Sequence, residues 1–289
     1  MNNSGIFIVD KPQGITTNKL IQQVKRKLNL KKVGHAGTLD PLATGVVIVL
    51  VNSGTKLSDY FLNQEKIYQV KGQLYTATDS FDSDGNITET DETSHVTLKQ
   101  LEQVIDKYND YEYEQIPPIF SAIKVQGKKL YEYARCGVSD VAIQPRKVHI
   151  KKVELLSFDE EMGIFELRVE ASKGTYIRSL VVDIAHDLNT LAHVTELRRL
   201  KSGVFDINQA KTLDDLELKD LISNYDAVKQ NEYQIYELNK EEFDDVIKGK
   251  KIKLDLEKER VFLSYNNEII ALYGKENDYY RSLKGGFSV

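Results

Sequence analysis

The feature that most constrains the fold is an uninterrupted apolar run at residues 46–51, which follows a glycine-rich segment. Consecutive apolar residues that are mostly β-branched are typical of a strand covered on both faces. The run is far too short to span a bilayer, which requires about 20 apolar residues. The chain is therefore predicted to build a buried sheet around residues 46–51.

The segment just before this run, GHAGTLDPLATGV at residues 34–46, confines one carboxylate, Asp40. Its glycines allow backbone geometries closed to other residues and let a ligand approach closely. Pro41 restricts the backbone immediately after Asp40. A simple turn would explain the glycines, and a helix cap would explain the aspartate. The residues alone leave a structural and a catalytic role for Asp40 equally open.

Apolar spacing predicts the other elements. Alternation or short apolar runs indicate strands at 6–9, 68–74, 148–156 and 164–171, and helical spacing indicates helices at 20–28, 98–108 and 177–188. Strands and helices mix without a βαβ rhythm, which favours an α+β fold with a mixed, largely antiparallel sheet flanked by helices. Past residue 230, alternation at 252–256 and 261–263 predicts a small β-rich extension, with Asn266 and Asn267 at a hairpin turn.

Charge and composition narrow the function classes. The net charge is −5, yet residues 19–32 carry six basic and no acidic side chains, which permits an anionic partner. The single cysteine, Cys136, excludes an internal disulfide and fits a reducing compartment. No leader or membrane segment is visible, so a cytoplasmic location is expected. Metal, P-loop and dinucleotide motifs are absent, and residues 80–91 fit an acidic turn better than a calcium loop, so no metal or cofactor is predicted.

The segment around Asp40 resembles the catalytic motif of the TruB family of bacterial tRNA pseudouridine synthases. Further motifs resemble this family in the same order, namely DKPQG at 10–14, KIYQV at 66–70, an acidic turn at 79–85, IPPIFSAIKVQGKKLYEYAR at 116–135, SKGTYIR at 172–178 and HVTELRRL at 193–200. The resemblance implies the pseudouridine synthase fold. It implies a catalytic domain at 1–229 with an RNA-gripping insertion at about 116–146, and a PUA-like RNA-binding extension at 230–289.

The resemblance also implies a reaction, the isomerisation of uridine to pseudouridine at position 55 in the TΨC arm of tRNA. Asp40 is then the nucleophile that acts on a flipped-out uridine. Arg178 is the guanidinium that offsets the charge of Asp40 in a closed pocket. Tyr68 stacks on the uracil and is a candidate for proton transfer. Whether Asp40 attacks C1′ of the sugar or C6 of the base stays open.

Other residues receive binding roles from the same resemblance. His35 is expected to hold flipped nucleotides, and Tyr176 and Leu197 are expected to form walls of the base pocket. Without the family, packing in an alternating strand is the commoner explanation for Tyr68, and ordinary core is the commoner one for Leu197. His193 is expected to be structural.

A tRNA arm would be held through its shape and phosphates. The candidate cations lie in two groups, Lys19, Arg26, Lys31 and Lys32 near the N-terminus, and Lys124, Lys128 and Lys129 in the insertion. Tyr131 and Tyr133 either stack on RNA or pack internally. The insertion is similar to that of the stand-alone bacterial branch, so a monomer without guide RNA, obligate protein partner or membrane is expected.

Two other classes of function compete with catalysis. The first is a non-catalytic RNA-folding protein that uses the same surface on tRNA. The second is a structural or ribosome-associated module with surface charge but no pocket. Asp40 discriminates between them, because a protein that only binds RNA has no use for a confined nucleophile.

Overall fold

The computed structural model describes residues 3–138 and 141–287. Within these ranges the chain forms eighteen strands and seven α-helices. The strands are β1 (Gly5–Lys11), β2 (Val33–His35), β3 (Thr44–Val51), β4 (Lys66–Leu74), β5 (Thr76–Thr78), β6 (Ile87–Thr90), β7 (Tyr111–Gln115), β8 (Lys124–Val125), β9 (Lys128–Lys129), β10 (Arg146–Asp159), β11 (Ile164–Ala171), β12 (Ala192–Ser202), β13 (Phe205–Asp206), β14 (Ile222–Ser223), β15 (Ile235–Glu237), β16 (Arg260–Tyr265), β17 (Glu268–Glu276) and β18 (Tyr279–Lys284). The helices are α1 (Thr17–Lys27), α2 (Ser58–Leu62), α3 (Leu98–Lys107), α4 (Leu130–Arg135), α5 (Ile177–Asp187), α6 (Asn224–Gln230) and α7 (Lys240–Val246).

The chain divides into two compact units. The first comprises residues 3–40, 45–63 and 202–287, and the second comprises residues 41–44 and 64–201. Both contain sheet and helix, so the α+β class is confirmed. No helix in the described ranges combines the length and apolar character needed to cross a bilayer. The division into domains at 1–229 and 230–289 stays a prediction.

The predicted buried strand lies in the first unit as β3. It pairs antiparallel with β1 and with the short strand β2, and β1 also pairs antiparallel with β14. Every residue from 46 to 51 is at most 1% exposed. The prediction of a strand covered on both faces is therefore confirmed.

Helix α1 follows β1 and has one apolar face, formed by Leu20, Ile21 and Val24. The Thr16 side chain caps its start by accepting from Lys19 N at 3.1 Å. Lysine and arginine fill its last turn, where cations favour the negative end of the helix dipole. The burial of one face leaves Lys19 and Arg26 exposed on the other.

The β-rich extension forms a sheet in the order β15-β16-β17-β18. Asn266 and Asn267 both have positive φ, of 52° and 60°, and join β16 to β17 as predicted. Within the first unit, Phe262, Ile269 and Leu272 pack in one core with residues of β1 and β3. The other face of this sheet packs on a second core that contains Val261, Leu263 and Tyr273.

The predicted strand at 252–256 is wrong. Only Ile252 forms an isolated bridge, to Tyr280, while Leu254 and Leu256 belong to no strand. Their side chains nevertheless pack on the second core of the extension. Alternating apolar residues report which side chains are buried, and they do not show that a neighbouring strand is available for pairing.

In the second unit the strands follow the order β12-β4-β11-β10-β7. β10 and β11, which contain the strands predicted at 148–156 and 164–171, form an antiparallel hairpin, and β4 adds antiparallel to β11. Helix α5 contacts β4, and α3 contacts both β10 and α5. Alternate residues of β4 are buried, and the strand predicted at 68–74 is confirmed.

Two small hairpins extend from the second unit. β5 and β6 flank the acidic turn at 79–85, and β8 and β9 lie inside the insertion at 116–146, just before α4. Residues 139–140 of the insertion lie outside the described ranges.

Candidate active site

Asp40 is half-buried at the end of the loop that follows β2. The residue before it, Leu39, is bonded twice by Thr17 of α1, whose Oγ1 donates to Leu39 O at 3.0 Å and accepts from Leu39 N at 2.9 Å. At the start of the loop, Ala36 N donates to Ile48 O of β3 at 3.0 Å. The carboxylate is thus carried by a loop whose backbone is fixed to a helix and a strand. Sequence reasoning missed Thr17, because its role depends on a contact between distant residues.

Glycine at two positions near Asp40 is required by the backbone. Gly37 and Gly45 have φ of 102° and 103°, a region that other residues rarely adopt. They lie on either side of Asp40 in the chain, so the segment can turn sharply before and after the carboxylate.

Arg178 is the second residue of α5 and is 3% exposed. Its Nη1 donates to Ser80 O at 2.6 Å and lies 3.1 Å from Asp82 Oδ2. Its Nη2 donates to Phe120 O at 2.9 Å. These contacts use two separate edges of the planar guanidinium, which lysine does not possess. Arg178 is therefore a buried residue and not a surface cation at the start of the helix.

The acidic turn at 79–85 supplies the carboxylate that faces Arg178. Asp82 is 4% exposed, and its Oδ1 accepts from Ser80 Oγ at 2.5 Å and from Asp84 N at 3.2 Å. The turn is joined to β12 by hydrogen bonds from Ser83 N to Val194 O and from Val194 N to Phe81 O. Sequence reasoning recognised the turn but did not assign Asp82 as the partner of Arg178. Within the described ranges no cluster of three or more His, Cys, Asp or Glu side chains is arranged to hold a metal.

Tyr68 and Leu197 lie on the neighbouring strands β4 and β12, and they are 9% and 7% exposed. Tyr68 pairs with Val169 in the register of β4 with β11. Tyr176 is half-buried and immediately precedes α5. The second unit thus contains Tyr68, Tyr176, Arg178 and Leu197, whereas Asp40 belongs to the first unit.

His35 is half-buried at the end of β2, where it pairs with Val49 of β3. His193 is buried on β12, and its Nδ1 lies 2.9 Å from Thr76 O. That contact ties β12 to β5, in keeping with the structural role expected for His193.

Lys66 is a buried cation that the sequence did not single out. It is 5% exposed on β4, on the same face as Tyr68. Burial, together with the nearby cations Arg199 and Lys173, lowers the pKa of Lys66 to about 8. The ammonium group donates to Gln64 O.

The predicted RNA-binding cations are mostly at the surface. Lys19, Arg26, Lys31, Lys32, Lys124 and Lys128 are exposed, and Lys129 is half-buried. Lys129 Nζ and the Arg135 guanidinium each lie 5.3 Å from the centre of the Tyr131 ring. Tyr133 donates to Val125 O at 3.1 Å. Tyr131 and Tyr133 therefore both have packing or polar contacts inside the insertion.

The fold has clear counterparts among solved structures. The chain aligns with a TM-score of 0.72 to a chain from an H/ACA RNP bound to a substrate RNA containing 2′-deoxyuridine, at 21% identity, covering 99% of this chain and 86% of that one. It aligns with a TM-score of 0.71 to a chain from a Cbf5-Nop10-Gar1 complex, at 22% identity, covering 99% and 84%. The chain therefore shares its fold with these two solved chains.

Sequence comparison identifies the protein family to which the chain belongs. Residues 25–177 match the TruB family pseudouridylate synthase N-terminal domain, and residues 178–247 match the tRNA pseudouridylate synthase B C-terminal domain. The chain is 53% identical over 291 residues to tRNA pseudouridine synthase B of Mycoplasma capricolum, covering 100% of this chain and 99% of that protein. It is 37% identical over 289 residues to the protein of the same name from Lactobacillus acidophilus, covering 96% of each. The chain belongs to the TruB family of pseudouridylate synthases, and it is an enzyme.

Proposed function

We propose that this enzyme isomerises uridine to pseudouridine in tRNA, at position 55 of the TΨC arm. The observation that carries the proposal is the 53% identity, over the full chain, to a protein named tRNA pseudouridine synthase B. A protein of the same name from Mesoplasma florum is 51% identical over 295 residues, and the alignment covers 100% of each chain.

Asp40 is the nucleophile in this proposal. An ionised carboxylate can attack either C1′ of the sugar or C6 of the base. The two hydrogen bonds between Thr17 and Leu39 support the role, because they fix the backbone directly before the carboxylate. A nucleophile held in one position has already lost the freedom that would otherwise slow its attack.

Arg178 supplies positive charge in a buried position. Its guanidinium is held by Ser80 O, Phe120 O and Asp82, so it does not have to reorganise during the reaction. Tyr68 stacks on the everted uracil and is the candidate for proton transfer. Tyr176 and Leu197 close the base pocket, and His35 holds flipped nucleotides. Each of these roles comes from the family motif and agrees with the burial of the side chain concerned.

Substrate binding uses exposed cations, with RNA contacts from Lys19, Arg26, Lys31, Lys32, Lys124, Lys128 and Lys129. The base is detached, rotated and reattached through C5, without redox change and without gain or loss of atoms. The reaction therefore needs no cofactor. We propose that the enzyme acts as a monomer, without guide RNA, and that residues 230–289 add RNA contacts to a catalytic domain at 1–229.

Pseudouridine mapping of tRNA treated with wild-type protein and with Asp40→Ala tests the proposal. We expect the substitution to abolish pseudouridine formation and to leave tRNA binding within about threefold, because the carboxylate acts in the reaction and repels phosphate. Asp244→Ala, which removes a half-buried carboxylate of α7 that pairs with Lys240, is the matched control and should be fully active. Full activity of Asp40→Ala would remove the nucleophile from the proposal. If the wild-type protein binds tRNA but forms no pseudouridine, the non-catalytic RNA-folding function is favoured.

A further inference from the structure

The last residue of β7, Gln115, has a buried side chain that holds the backbone before α5. Gln115 is 1% exposed. Gln115 Oε1 accepts from Tyr176 N at 2.8 Å, and Gln115 Nε2 donates to Tyr176 O at 3.1 Å. One amide group thus binds both main-chain polar atoms of a residue that is 61 positions away in the chain. Gln115 stands one position before the motif at 116–135 and is not part of it.

The orientation of this amide is set by a third contact. The Tyr113 hydroxyl donates to Asp183 Oδ2 at 2.7 Å, so its oxygen is available to accept from Gln115 Nε2 at 2.7 Å. Burial raises the pKa of the Tyr113 hydroxyl, which therefore keeps the proton that it donates. If the amide were flipped, its oxygen would face the Tyr176 carbonyl and lose both donated bonds.

Two more hydrogen bonds join the same two segments. Ser179 Oγ donates to Ile116 O at 2.8 Å, and Arg178 Nη2 donates to Phe120 O at 2.9 Å. The first residues of the insertion are thus bonded to the first turn of α5. Together with Gln115, these contacts hold Tyr176 and the following residues in one geometry relative to the insertion.

We propose that Gln115 is a positioning residue for the reaction, which acts by holding Tyr176 at the base pocket in register with the RNA-binding insertion. The inference rests on the proposed function. Gln115 acts through Tyr176, and RNA bound by the insertion is thereby aligned with the pocket. A displacement of about 1 Å in a group that positions substrate can lower a rate about 100-fold.

Single-turnover kinetics on tRNA test this role with Gln115→Met, which has a similar length and forms none of the three bonds. We expect the rate of pseudouridine formation to fall about 10- to 100-fold, while the dissociation constant for tRNA changes by less than about twofold. The matched control is Gln73→Met at the C-terminal end of β4. Gln73 Nε2 also donates to two main-chain oxygens, Leu74 O and Met162 O. It should retain wild-type kinetics.

A double-mutant cycle separates positioning from general destabilisation. In a Tyr176→Leu background, adding Gln115→Met should lower the rate by less than about twofold, because the tyrosine side chain that Gln115 positions is already gone. Full additivity would overturn the inference. If Gln115→Met does not fold, Tyr113→Phe provides the test, as it keeps the ring and removes the hydroxyl that orients the amide, together with the bond from that hydroxyl to Asp183. We then expect a rate loss of about 3- to 10-fold, with tRNA binding retained.

The outcomes distinguish the inference from the proposed function. Wild-type activity on tRNA together with unchanged rates in Gln115→Met, or in Tyr113→Phe where the first variant does not fold, would overturn the positioning role alone. Failure of the wild-type enzyme to form pseudouridine in tRNA would overturn both.

Discussion

The start of α5 and the tip of the insertion, residues 124–135, both carry polar and cationic groups, but in opposite settings. Around the start of α5, Arg178 and Gln115, the last residue of β7, are 3% and 1% exposed and form hydrogen bonds with other groups of the protein. At the tip, Lys124 and Lys128 are exposed on strands of two residues each.

The comparison indicates that fixed geometry matters at the start of α5, whereas charge matters at the tip of the insertion. Removing the partner of a buried polar group destabilises the folded state, so the start of α5 is held in one arrangement. An exposed cation is solvated in the absence of a ligand and can meet a phosphate in many geometries. We therefore expect substitutions at the start of α5 to lower turnover, and substitutions at the tip to weaken binding.

Among substitutions in these two regions, the largest effect should come from Arg178→Lys. Lysine keeps the charge but cannot reach Asp82, Ser80 O and Phe120 O at once. We expect turnover to fall about 100-fold or more and unfolding free energy to fall by about 2 kcal/mol. Single-turnover assays and urea unfolding measure the two quantities.

The control for this change is Arg168→Lys, an exposed arginine on β11. It should leave both turnover and stability unchanged. If Arg178→Lys behaved in the same way as Arg168→Lys, the distinction between a buried, geometrically fixed region and an adaptable one would be lost.

A smaller effect, on binding, is expected from the double substitution Lys128→Gln and Lys129→Gln. Each lost phosphate contact should flatten the dependence of log K on log salt by about 0.7 to 0.9, so the slope should change by about 1.5. Turnover at saturating tRNA should stay within about threefold of wild type. Filter binding across a salt series is the measurement.

Lys99→Gln with Lys107→Gln removes two exposed cations from α3 and is the matched control. Its salt slope should equal that of the wild type. An unchanged slope in the Lys128 and Lys129 variant would remove the insertion tip as an RNA-binding surface.

The smallest effect concerns Lys66, a buried cation whose pKa is lowered to about 8. The unfolded chain keeps this proton up to about pH 10.4, so above pH 8 the unfolded state binds more protons than the folded state. Wild-type stability should therefore rise with pH relative to Lys66→Met, by up to about 1.4 kcal/mol per pH unit.

Urea unfolding at pH 7, 8 and 9 checks this difference. Lys71→Met is the control, because Lys71 lies on the wet face of the same strand with its pKa raised by Glu196, and both states keep its proton in this range. Parallel pH profiles for wild type and Lys66→Met would show that Lys66 is not held in a desolvated position.

Much of the fold and part of the candidate site could be predicted from local pattern. The apolar run at 46–51 and the periodicity of α1, α3 and α5 are patterns of residues close together in the chain, so they can be read directly from the sequence. The motifs that carry Asp40, Tyr68 and Arg178 were visible for the same reason. The strand predicted at 252–256 failed because strand pairing depends on a partner, and alternation does not reveal one.

The polar partners could be decided only by the tertiary structure. Asp82, Gln115 and Thr17 lie far along the chain from Arg178, Tyr176 and Leu39, and each meets its partner through hydrogen bonds that periodicity does not encode. Apolar burial follows from the spacing of side chains along one element and was therefore present in the sequence. A hydrogen bond needs a donor and an acceptor at about 3 Å and in line, and only the packing of separate elements brings such pairs together.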